Sequence, residues 1–407
     1  LYDLRKIQFG SLFHGISSTS TEQNNHVDTG NVVKNIPTSR VNTENVEILG
    51  KLYPKDKYTN VTDTILSKVG RNLHLLNDHP INIIKRKIEN LIPNFKNYED
   101  LDPVVTKTDN FDKLLIPKDH PSRALTDTYH VNENDLLRTH TSAHQSALIE
   151  KNEVDSFLVT ADVYRRDEIN VTHYPIFHQM EGVLLFDRKN VLNDIRIKDS
   201  IEKIQKSKNK FNPEIDFNKE NAPQSCHTPE EVLAISCHLR YTLEELIRGL
   251  FKETGIKDDL VIRWLPSYFP FTSPSFEMEI LFNGEWLEVL GCGMMEQDII
   301  DNAGHPDKIG WAFGLGLERI AMTVFDIPDI RLFWSKDTRF LNQFKFNQFT
   351  KFQPFSKYPA CYKDLSFWLP IKDGVNQEIH DNDFIELVRN VAEDVVEDVR
   401  LIDEFTN

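Results

Sequence analysis

The stretch from Phe157 to Phe186 decides the fold, and it reads FLVTADVYRRDEINVTHYPIFHQMEGVLLF. Both ends alternate with the period of a β-strand, whereas the middle is charged and polar. The pattern predicts two antiparallel strands, the first of them half-buried, joined by a long loop. In the second strand Phe177, Gln179 and Glu181 share one face, because alternate side chains of a strand point the same way.

An aromatic ring, an amide and a carboxylate side by side in a strand need partners if the strand is buried. A ligand with an ammonium group would satisfy Gln179 and Glu181, and a phosphate group would satisfy Arg165 after the first strand. An ion-pair network within the protein would explain the same residues equally well. From this stretch alone, both interpretations stay open.

The composition allows a sizeable hydrophobic core, but the net charge is unfavourable for nucleic-acid binding. The chain has 407 residues, of which 40% are hydrophobic, enough for two or three domains. It has no apolar run long enough for a transmembrane helix, and its four cysteines show no CxxC spacing, which argues against a zinc site or a disulfide framework. The formal net charge of −16 argues against nucleic-acid binding, although a local basic face remains compatible with it.

Several regions stand apart from the periodic segments. Residues 1–45 are rich in Ser, Thr and Asn, which predicts either a disordered arm or the remnant of a mitochondrial transit peptide. Residues 196–230 show no apolar period and predict an exposed insertion, after which a helix begins at Thr228 and runs to about residue 254. A linker at 346–353 precedes residues 354–407, whose strand–helix–strand order is the first half of a ferredoxin-like domain.

Three strings invite comparison with known families. They are Tyr164-Arg165-Arg166-Asp167, Phe177-His178-Gln179-Met180-Glu181, and GWAFGLGLERIAM at 310–322. A lone Gly-x-Gly is weak evidence, because close strand–helix packing explains most instances. The longer Gly-x-Gly-x-Glu-Arg string, running into a helix, resembles motif 3 of the class II aminoacyl-tRNA synthetases, and the first string resembles their motif 2. The second string resembles the amino-acid-binding strand of the phenylalanine-specific members.

The resemblance implies roles for individual residues. Arg165 would grip the α-phosphate of ATP and Phe177 would stack on adenine, while Gln179 and Glu181 would hold the substrate ammonium. Arg319 would cover the other face of adenine and contact the γ-phosphate. Arg165 and Arg319 are therefore the expected catalytic residues. Further ATP contacts are expected from the loop residues Thr172, His173 and Tyr174.

The resemblance also implies a pocket for phenylalanine. By itself, LRTHTSAHQ at 137–145 predicts a helix cap at Thr141 or Ser142. In the family this motif contacts the amino and carboxylate ends of the amino acid, and aromatic side chains hold the phenyl ring by edge-to-face packing. The pocket residues that it implies are His140, Ser142, Gln145, Gln179, Glu181, Phe269, Phe271, Ala312 and Phe313.

A hairpin near residue 283 can be predicted without any family. FEMEILF and EWLEVLG flank Asn283-Gly284, a strong two-residue turn, and counting back from the turn pairs Glu279 with Glu288. Like charges directly opposite are unfavourable, at small cost if the face is solvated. The alternative is that Glu288, with Glu277 or Glu279, faces Mg²⁺–ATP, since a hard cation prefers carboxylate oxygens.

The resemblance covers about residues 46–407 and implies an α+β fold. An antiparallel class II catalytic sheet flanked by helices is expected within 46–345, and a partial anticodon-binding domain of ferredoxin fold, with unpaired strand edges, at 354–407. The implied activity joins L-phenylalanine to tRNA(Phe) with ATP and Mg²⁺, in a monomer of the mitochondrial matrix. Tyrosine is the expected main error, because an apolar pocket rejects an added hydroxyl by only on the order of a hundredfold.

Two other functions would explain parts of the same pattern. The chain could be the α subunit of a heterodimeric enzyme, but its C-terminal anticodon-like segment argues against that, since in the heterodimer this segment belongs to the β subunit. It could be a non-enzymatic RNA-binding or regulatory paralogue, in which Arg165, Glu181 or Arg319 would be degraded. All three are intact here.

Overall fold

The structure is a computed structural model. It describes residues 2–11, 39–209, 212, 216–217, 221–252, 260–355, 361–372, 375–376, 380–392, 396 and 398–406. Most of the predicted N-terminal arm, residues 12–38, lies outside the described residues, so a transit peptide there stays a prediction. In the part of the chain that is described, no helix combines the length and the apolarity needed to cross a membrane.

The elements are numbered here in chain order. The strands are β1 Tyr2–Ser11, β2 Arg40–Val41, β3 Asn45–Ile48, β4 Lys51–Pro54, β5 Lys96–Tyr98, β6 Val104–Thr106, β7 Asp135–Leu137, β8 Ser156–Tyr164, β9 Ile176–Asp187, β10 Ile262–Phe269, β11 Thr272–Phe282, β12 Glu285–Met295, β13 Lys308–Gly316, β14 Cys361–Lys372, β15 Val375–Asn376 and β16 Asp398–Thr406. The α-helices are α1 Asp63–Leu66, α2 Pro80–Leu91, α3 Lys107–Asn110, α4 Gln145–Lys151, α5 Ile195–Lys206, α6 Pro229–Phe251, α7 Gln297–Asn302, α8 Leu317–Phe325, α9 Thr338–Leu341 and α10 Asp381–Ala392.

Among the described residues, the central sheet has seven strands in the order β10-β11-β12-β13-β9-β8-β5. Neighbouring strands run antiparallel except β5 and β8, which are parallel. The opening stretch folds as predicted, because β8 and β9 pair from Ser156 opposite Leu184 to Tyr164 opposite Ile176. Helices flank this sheet, and the predicted α+β class with an antiparallel sheet is confirmed.

The prediction that β8 is half-buried is wrong. Every residue of β8 after Ser156 is buried, because cores lie on both faces of the sheet. The larger core includes residues of α2, α6 and α8. The smaller core, which includes Val159, Val183 and Ala312, covers one end of the other face. The remaining end of that face carries Phe177 and Gln179, which are only partly buried.

Gly182 in β9 is required by the close approach of Phe313 from β13. A Cβ at position 182 would lie 2.2 Å from Cε1 of Phe313, a ring that is buried in the larger core. We expect Gly182→Ala to lower the free energy of unfolding by about 1–3 kcal/mol, as overpacking does. Urea denaturation would measure this, with Gly314→Ala as control, because a Cβ at 314 meets nothing within 4 Å. An equal loss of stability in both variants would contradict the prediction.

The segment after β9 is more ordered than predicted. Residues 195–206 form α5, which buries Ile197 and Ile204 and packs against α6. The prediction of an exposed insertion is therefore wrong for this part, and the three-residue and four-residue spacing of Ile197, Ile201 and Ile204 was the signal that it missed. Helix α6 begins as predicted, with a capping box between Thr228 and Glu231, and ends at Phe251.

The C-terminal elements follow the predicted strand–helix–strand order as β14, α10 and β16. Their sheet has the order β15-β14-β1-β16, so a strand from the N-terminus lies between β14 and β16. The expectation of an arm at Tyr2–Ser11 does not hold, because β1 pairs antiparallel with both β14 and β16. The expectation of unpaired edges is wrong for the edges that face β1, whereas the outer edge of β16 has no partner strand among the described residues. The predicted linker at 346–353 also packs, since Phe352 is buried and Phe349 stacks on Phe325 at 5.7 Å between ring centroids.

Helix α10 docks on the loop between β8 and β9. Asp383 forms an ion pair of 2.8 Å with Arg166, and Arg389 donates to the backbone oxygen of Asp167 at 3.0 Å. Deeper in the contact, the hydroxyl of Tyr129 donates to Glu386 at 2.7 Å. Helix α10 thus contacts the loop that carries Arg166 and Asp167.

Candidate active site

The centre of the site is the carboxylate of Glu181, which is 3% exposed. It accepts hydrogen bonds from the Ser142 hydroxyl, from Gln145 Nε2 at 2.8 Å and from Thr141 Oγ1 at 3.4 Å. Residues 141–144 form a 3₁₀ turn that begins after His140 without a side-chain cap bond. The helix-cap prediction for Thr141 or Ser142 is therefore wrong, because both hydroxyls bond to the carboxylate instead.

The electrostatics of this centre follow from burial. Desolvation raises the pKa of Glu181 to about 7, although the bonds from Ser142 and Gln145 act in the opposite direction. Burial, with Arg165 nearby, lowers the pKa of His140 to about 3, so this imidazole is neutral. Neither ring nitrogen of His140 has a hydrogen-bond partner among the described residues. A buried carboxyl and a neutral imidazole with free nitrogens are suited to binding a small polar group.

Two phenyl rings stand beside this centre. Phe269 and Phe271 stack with centroids 6.0 Å apart and planes 11° apart, and the ring of His140 lies 6.2 Å from that of Phe271. Gly291 leaves room for the first ring, since a Cβ there would be 2.7 Å from Cζ of Phe269. Ala312 belongs to the smaller core, against which Phe271 packs. An apolar pocket therefore adjoins the polar centre.

Phe313 does not share this pocket. Adjacent residues of a strand point to opposite faces, so Ala312 and Phe313 cannot both line one pocket. The structure places the ring of Phe313 in the larger core, over Gly182. The expectation that Phe313 lines the phenylalanine pocket is therefore wrong.

The floor of the site is bare backbone. Gly314 lies opposite Glu181 and Gly316 opposite Gln179 in the β13–β9 ladder, and Gly291 lies opposite Gly314. A Cβ at position 314 or 316 would meet nothing within 4 Å. Glycine within a strand often marks a place where a ligand comes close to the backbone. This open face extends from the carboxylate to the end of β13.

Two arginines border the open face. Arg165 donates from Nε to the backbone oxygen of Thr139 at 2.8 Å, and its guanidinium lies 5.2 Å from the ring centroid of Phe177. Arg319 is the third residue of α8, half-exposed, and bonds from Nη1 to Glu288 Oε2 at 3.1 Å. Two positive side chains and an aromatic ring at a bare sheet face suit a phosphate-bearing nucleotide.

The predicted register of the β11–β12 hairpin is confirmed, with Glu279 opposite Glu288. The like charges are compensated rather than merely solvated, because Glu279 pairs with Arg263 and Glu288 with Arg319. Within the described residues there is no cluster of three or more His, Cys, Asp or Glu side chains placed to hold a metal. A Mg²⁺ held chiefly by substrate phosphates needs one or two carboxylates, which this hairpin can supply.

For Thr172 and His173 the expected contact with ATP stays a prediction, whereas the buried position of Tyr174 speaks against it. Thr172 and His173 are exposed and bond to Asn170. Tyr174 is buried in the larger core, where its ring stacks on Trp334 with centroids 5.8 Å apart.

Glu318, which the sequence did not single out, supports the site from behind, because its partner His178 points to the opposite face of β9 from Gln179 and Glu181 and stacks on Trp334 of the larger core. Its carboxylate accepts from the backbone N–H of His178 at 2.7 Å and bonds to Nδ1 of the same residue at 2.6 Å. Both side chains are buried. The pair ties β9 to the helix start that carries Arg319. Its position inside the Gly-x-Gly-x-Glu-Arg string was the available signal.

Comparison with known proteins agrees with this geometry. The model of the tRNA synthetases class II core domain (F) matches residues 63–223 and 231–344. This chain belongs to the class II aminoacyl-tRNA synthetases. It is similar to the mitochondrial phenylalanine–tRNA ligase of Mus musculus, with 48% identity over 88% of this chain and 78% of the relative. The mitochondrial phenylalanine–tRNA ligase of Saccharomyces cerevisiae is 42% identical over 91% of this chain and 87% of the relative.

A shorter similarity connects the chain to a subunit of the same enzyme class. The phenylalanine–tRNA ligase alpha subunit of Prochlorococcus marinus is 36% identical over 58% of this chain and 54% of the relative. As a class II synthetase, the chain has its motif 2 residues on β8 and the following loop, and its motif 3 residues on β13 and α8. These are the elements that border the open glycine face.

Proposed function

We propose that this chain is a phenylalanine–tRNA ligase, which activates L-phenylalanine with ATP and transfers it to the 3′-terminal ribose of tRNA(Phe). The observation that carries the proposal is that a polar group and a pair of aromatic rings adjoin each other in one site. The carboxylate of Glu181, with Gln179, offers acceptors to an ammonium, while Phe269 and Phe271 offer a stacked pair of rings to a phenyl group. The relatives of high identity are named for the same activity.

Each end of phenylalanine has a place in this arrangement. The ammonium binds at Glu181 and Gln179, with Ser142 and Gln145 fixing the carboxylate. The neutral ring of His140 is placed to accept or donate one hydrogen bond to the polar end of the amino acid. The phenyl ring enters between Phe271 and Ala312. The substrate carboxylate then points along the glycine floor toward the arginines.

Activation is an in-line displacement at phosphorus. A carboxylate oxygen of phenylalanine forms a bond to the α-phosphorus of ATP, the bond to the bridging oxygen breaks, and pyrophosphate leaves with the electron pair. Positioning and charge neutralisation carry such a step more than acid–base catalysis. We assign Arg165 to the α-phosphate and Arg319 to the γ-phosphate, with Phe177 against adenine. In the second step a ribose hydroxyl of tRNA attacks the acyl carbon, and AMP leaves.

The class II family uses ATP with a divalent metal, and we propose Mg²⁺ here. The carboxylates that fit are on the β11–β12 hairpin, and Glu288 is the one that contacts the ion in this proposal. Bound Mg²⁺ would neutralise charge on the phosphates. Glu277 already accepts a bond from Ser267 at 2.9 Å and Glu279 is paired with Arg263. Glu288 is also paired with an arginine, Arg319, but its side chain is 47% exposed against 16% for Glu279, which makes Glu288 the more accessible ligand.

The cellular setting is also proposed. The relatives of high identity are named mitochondrial, and we propose that the chain works in the mitochondrial matrix as a monomer. The alpha-subunit alternative is disfavoured because the match to that subunit covers 58% of this chain, whereas the mitochondrial matches reach 88% and 91%.

Phenylalanine-dependent exchange of pyrophosphate into ATP, by this chain without a partner, tests the proposal. We expect exchange with phenylalanine and much weaker exchange with tyrosine. Absence of exchange that is restored by a separate β subunit would favour the heterodimer. Absence under both conditions would favour a non-enzymatic paralogue and would overturn the proposal.

The exchange reaction should depend on pH through Glu181. Its pKa is raised to about 7 by burial, so it is about half protonated at neutral pH in the free protein. Only the ionised form attracts an ammonium, so binding strengthens as the pH rises through the pKa. We expect KM for phenylalanine to fall about tenfold from about pH 6 to about pH 8 at saturating ATP.

The imidazoles near Glu181 should not contribute to this profile. Burial lowers the pKa values of His140 and His144 to about 3, so both stay neutral across the tested range. Glu181→Gln removes the titrating carboxyl and should give a higher KM that no longer changes with pH. A variant that keeps the wild-type pH profile would show that another group is responsible.

A further inference from the structure

In the segment predicted as an insertion, the amide side chains of Asn221 and Gln224 point toward the proposed phenylalanine pocket. In the segment 221–224, called here the clamp segment, Ala222 and Pro223 are exposed, whereas Asn221 is 3% exposed and Gln224 is partly buried. Both amides face inward and bond to backbone groups of other elements. Buried polar side chains are nearly always hydrogen-bonded, so an inward-pointing amide in a surface loop marks a specific contact.

Gln224 joins three elements at one point. Its Nε2 donates to the backbone oxygens of Ser273 at 2.8 Å and Met295 at 2.9 Å, and its Oε1 accepts from the backbone N–H of Gln297 at 2.8 Å. These groups belong to the start of β11, the end of β12 and the start of α7. One side chain therefore satisfies three main-chain groups from three elements.

Asn221 and Ser273 extend the same contact. The amide of Asn221 donates to the backbone oxygen of Ser275 at 2.8 Å and accepts from its N–H at 2.5 Å. In return, the hydroxyl of Ser273 donates to the backbone oxygen of Ala222 at 2.6 Å. Ser275 is 1% exposed, so without Asn221 its main-chain groups would be buried and unpaired.

These bonds enclose the corner that carries the phenyl-binding rings. Phe269 and Phe271 lie four and two residues before Ser273 in the chain, and the backbone oxygen of Phe271 accepts from Glu296 N–H at 3.0 Å. The clamp segment holds the residues that follow Phe271 on one side and the neighbours of Glu296 on the other. The position of the Phe271 ring thus depends on both contacts.

The clamp segment is itself anchored to the core. Asp216, five residues before Asn221, accepts from Arg240 of α6 at 2.6 Å, and both side chains are buried. The guanidinium of Arg240 lies 4.7 Å from the ring centroid of Phe276 in β11. Since the backbone oxygen of Asp216 also accepts from Asn221 at 3.3 Å, the Asn221 amide is connected to α6 as well as to the corner.

We propose that Asn221 and Gln224 are positioning residues that set the width of the phenyl pocket and so determine selection of phenylalanine over tyrosine. The inference rests on the proposed function. An apolar pocket discriminates against an added hydroxyl by its fit, and fit requires rings that cannot move apart. The clamp segment holds Phe271 in place, so that the pocket cannot widen to admit the para hydroxyl of tyrosine.

Gln224→Met tests this, because it keeps the length of the side chain and removes all three bonds. We expect KM for phenylalanine to rise about tenfold and the ratio of kcat/KM for phenylalanine to that for tyrosine to fall about tenfold, the size of effect expected from a small misplacement of a binding group. KM for ATP should stay within about twofold, because the arginines lie on other elements. Pyrophosphate exchange measures all three quantities on the whole chain.

Gln343→Met is a matched control. Gln343 also donates from Nε2 to two backbone oxygens, those of Arg339 at 2.8 Å and Gln353 at 3.0 Å, and accepts from Gln353 N–H at 2.7 Å, but it lies far along the chain after α9. It should leave the phenylalanine-to-tyrosine ratio unchanged. If Gln224→Met does not fold, Ser273→Ala, which removes one bond to the clamp segment, should shift the ratio in the same direction by less.

The outcomes separate this inference from the proposed function. No phenylalanine-dependent exchange by the wild type would overturn the proposed function and the inference with it. Exchange by the wild type, with an unchanged phenylalanine-to-tyrosine ratio in Gln224→Met and Ser273→Ala, would overturn the inference alone. A parallel rise of KM for phenylalanine and ATP would also overturn it, since that indicates general destabilisation.

Discussion

Replacing Arg165 with Ala should lower phenylalanine-dependent pyrophosphate exchange by about 100- to 1,000-fold, the loss typical when one preorganised group is removed from a developing charge. The side chain is held in place before ATP binds, because its Nε donates to the Thr139 backbone oxygen and its guanidinium lies over the Phe177 ring. Neither contact uses the terminal nitrogens, so these are available for phosphate. In the displacement, negative charge develops on the oxygens around the α-phosphorus, and a fixed cation there stabilises the transition state.

The loss should fall mainly on kcat, since the interaction strengthens as the bond to phosphorus forms. Arg165→Lys should recover part of the activity, because it keeps the charge but not the bond from Nε or the planar contact with Phe177. Arg339→Ala is the matched control, as Arg339 pairs with Asp337 at the surface and should leave exchange unchanged. A fall in kcat of less than about tenfold in Arg165→Ala would remove this residue from the reacting centre.

The parts of the fold that depend on residues close together in the sequence could be predicted. The β8–β9 pair follows from strand period, and the register of Glu279 opposite Glu288 follows from the turn at Asn283-Gly284. The pairing of β1 between β14 and β16 could not be predicted, because it joins segments at opposite ends of the chain and nothing in the local pattern specifies the partner.

The sequence indicated several residues of the candidate site, but it did not indicate how they are arranged. Resemblance to a family selected Ser142, Gln145 and Glu181, and the structure brings them together in one hydrogen-bonded group. The assignment of both Ala312 and Phe313 to one pocket conflicts with strand alternation, and that conflict was visible in the sequence. The contacts of Gln224 were not visible, because they are with backbone groups, which every residue carries alike.

Replacing Gly314 with Val should abolish most of the exchange activity while the protein stays folded. A Cβ at this position meets nothing within 4 Å, so the added atoms occupy the open space over the floor of the site rather than the core. Valine also favours a strand conformation. Gly314 lies opposite Glu181 in the ladder, between the carboxylate that we propose to bind the ammonium and the strand end toward Arg319. A side chain there would increase the distance between the carboxylate of phenylalanine and the α-phosphate of ATP. A misplacement of about 1 Å is enough to lower the rate on the order of a hundredfold.

Thermal unfolding and exchange kinetics on the same preparations would separate the two effects. Gly314→Val should unfold at a temperature close to that of the wild type, with exchange reduced by at least about a hundredfold, and Gly314→Ala should be intermediate in activity. Gly182→Ala provides the opposite case, because its Cβ meets the Phe313 ring and should cost stability first. Full exchange activity in a folded Gly314→Val protein would mean that substrates do not lie on the glycine floor, and the binding site would then have to be sought on another surface of the sheet.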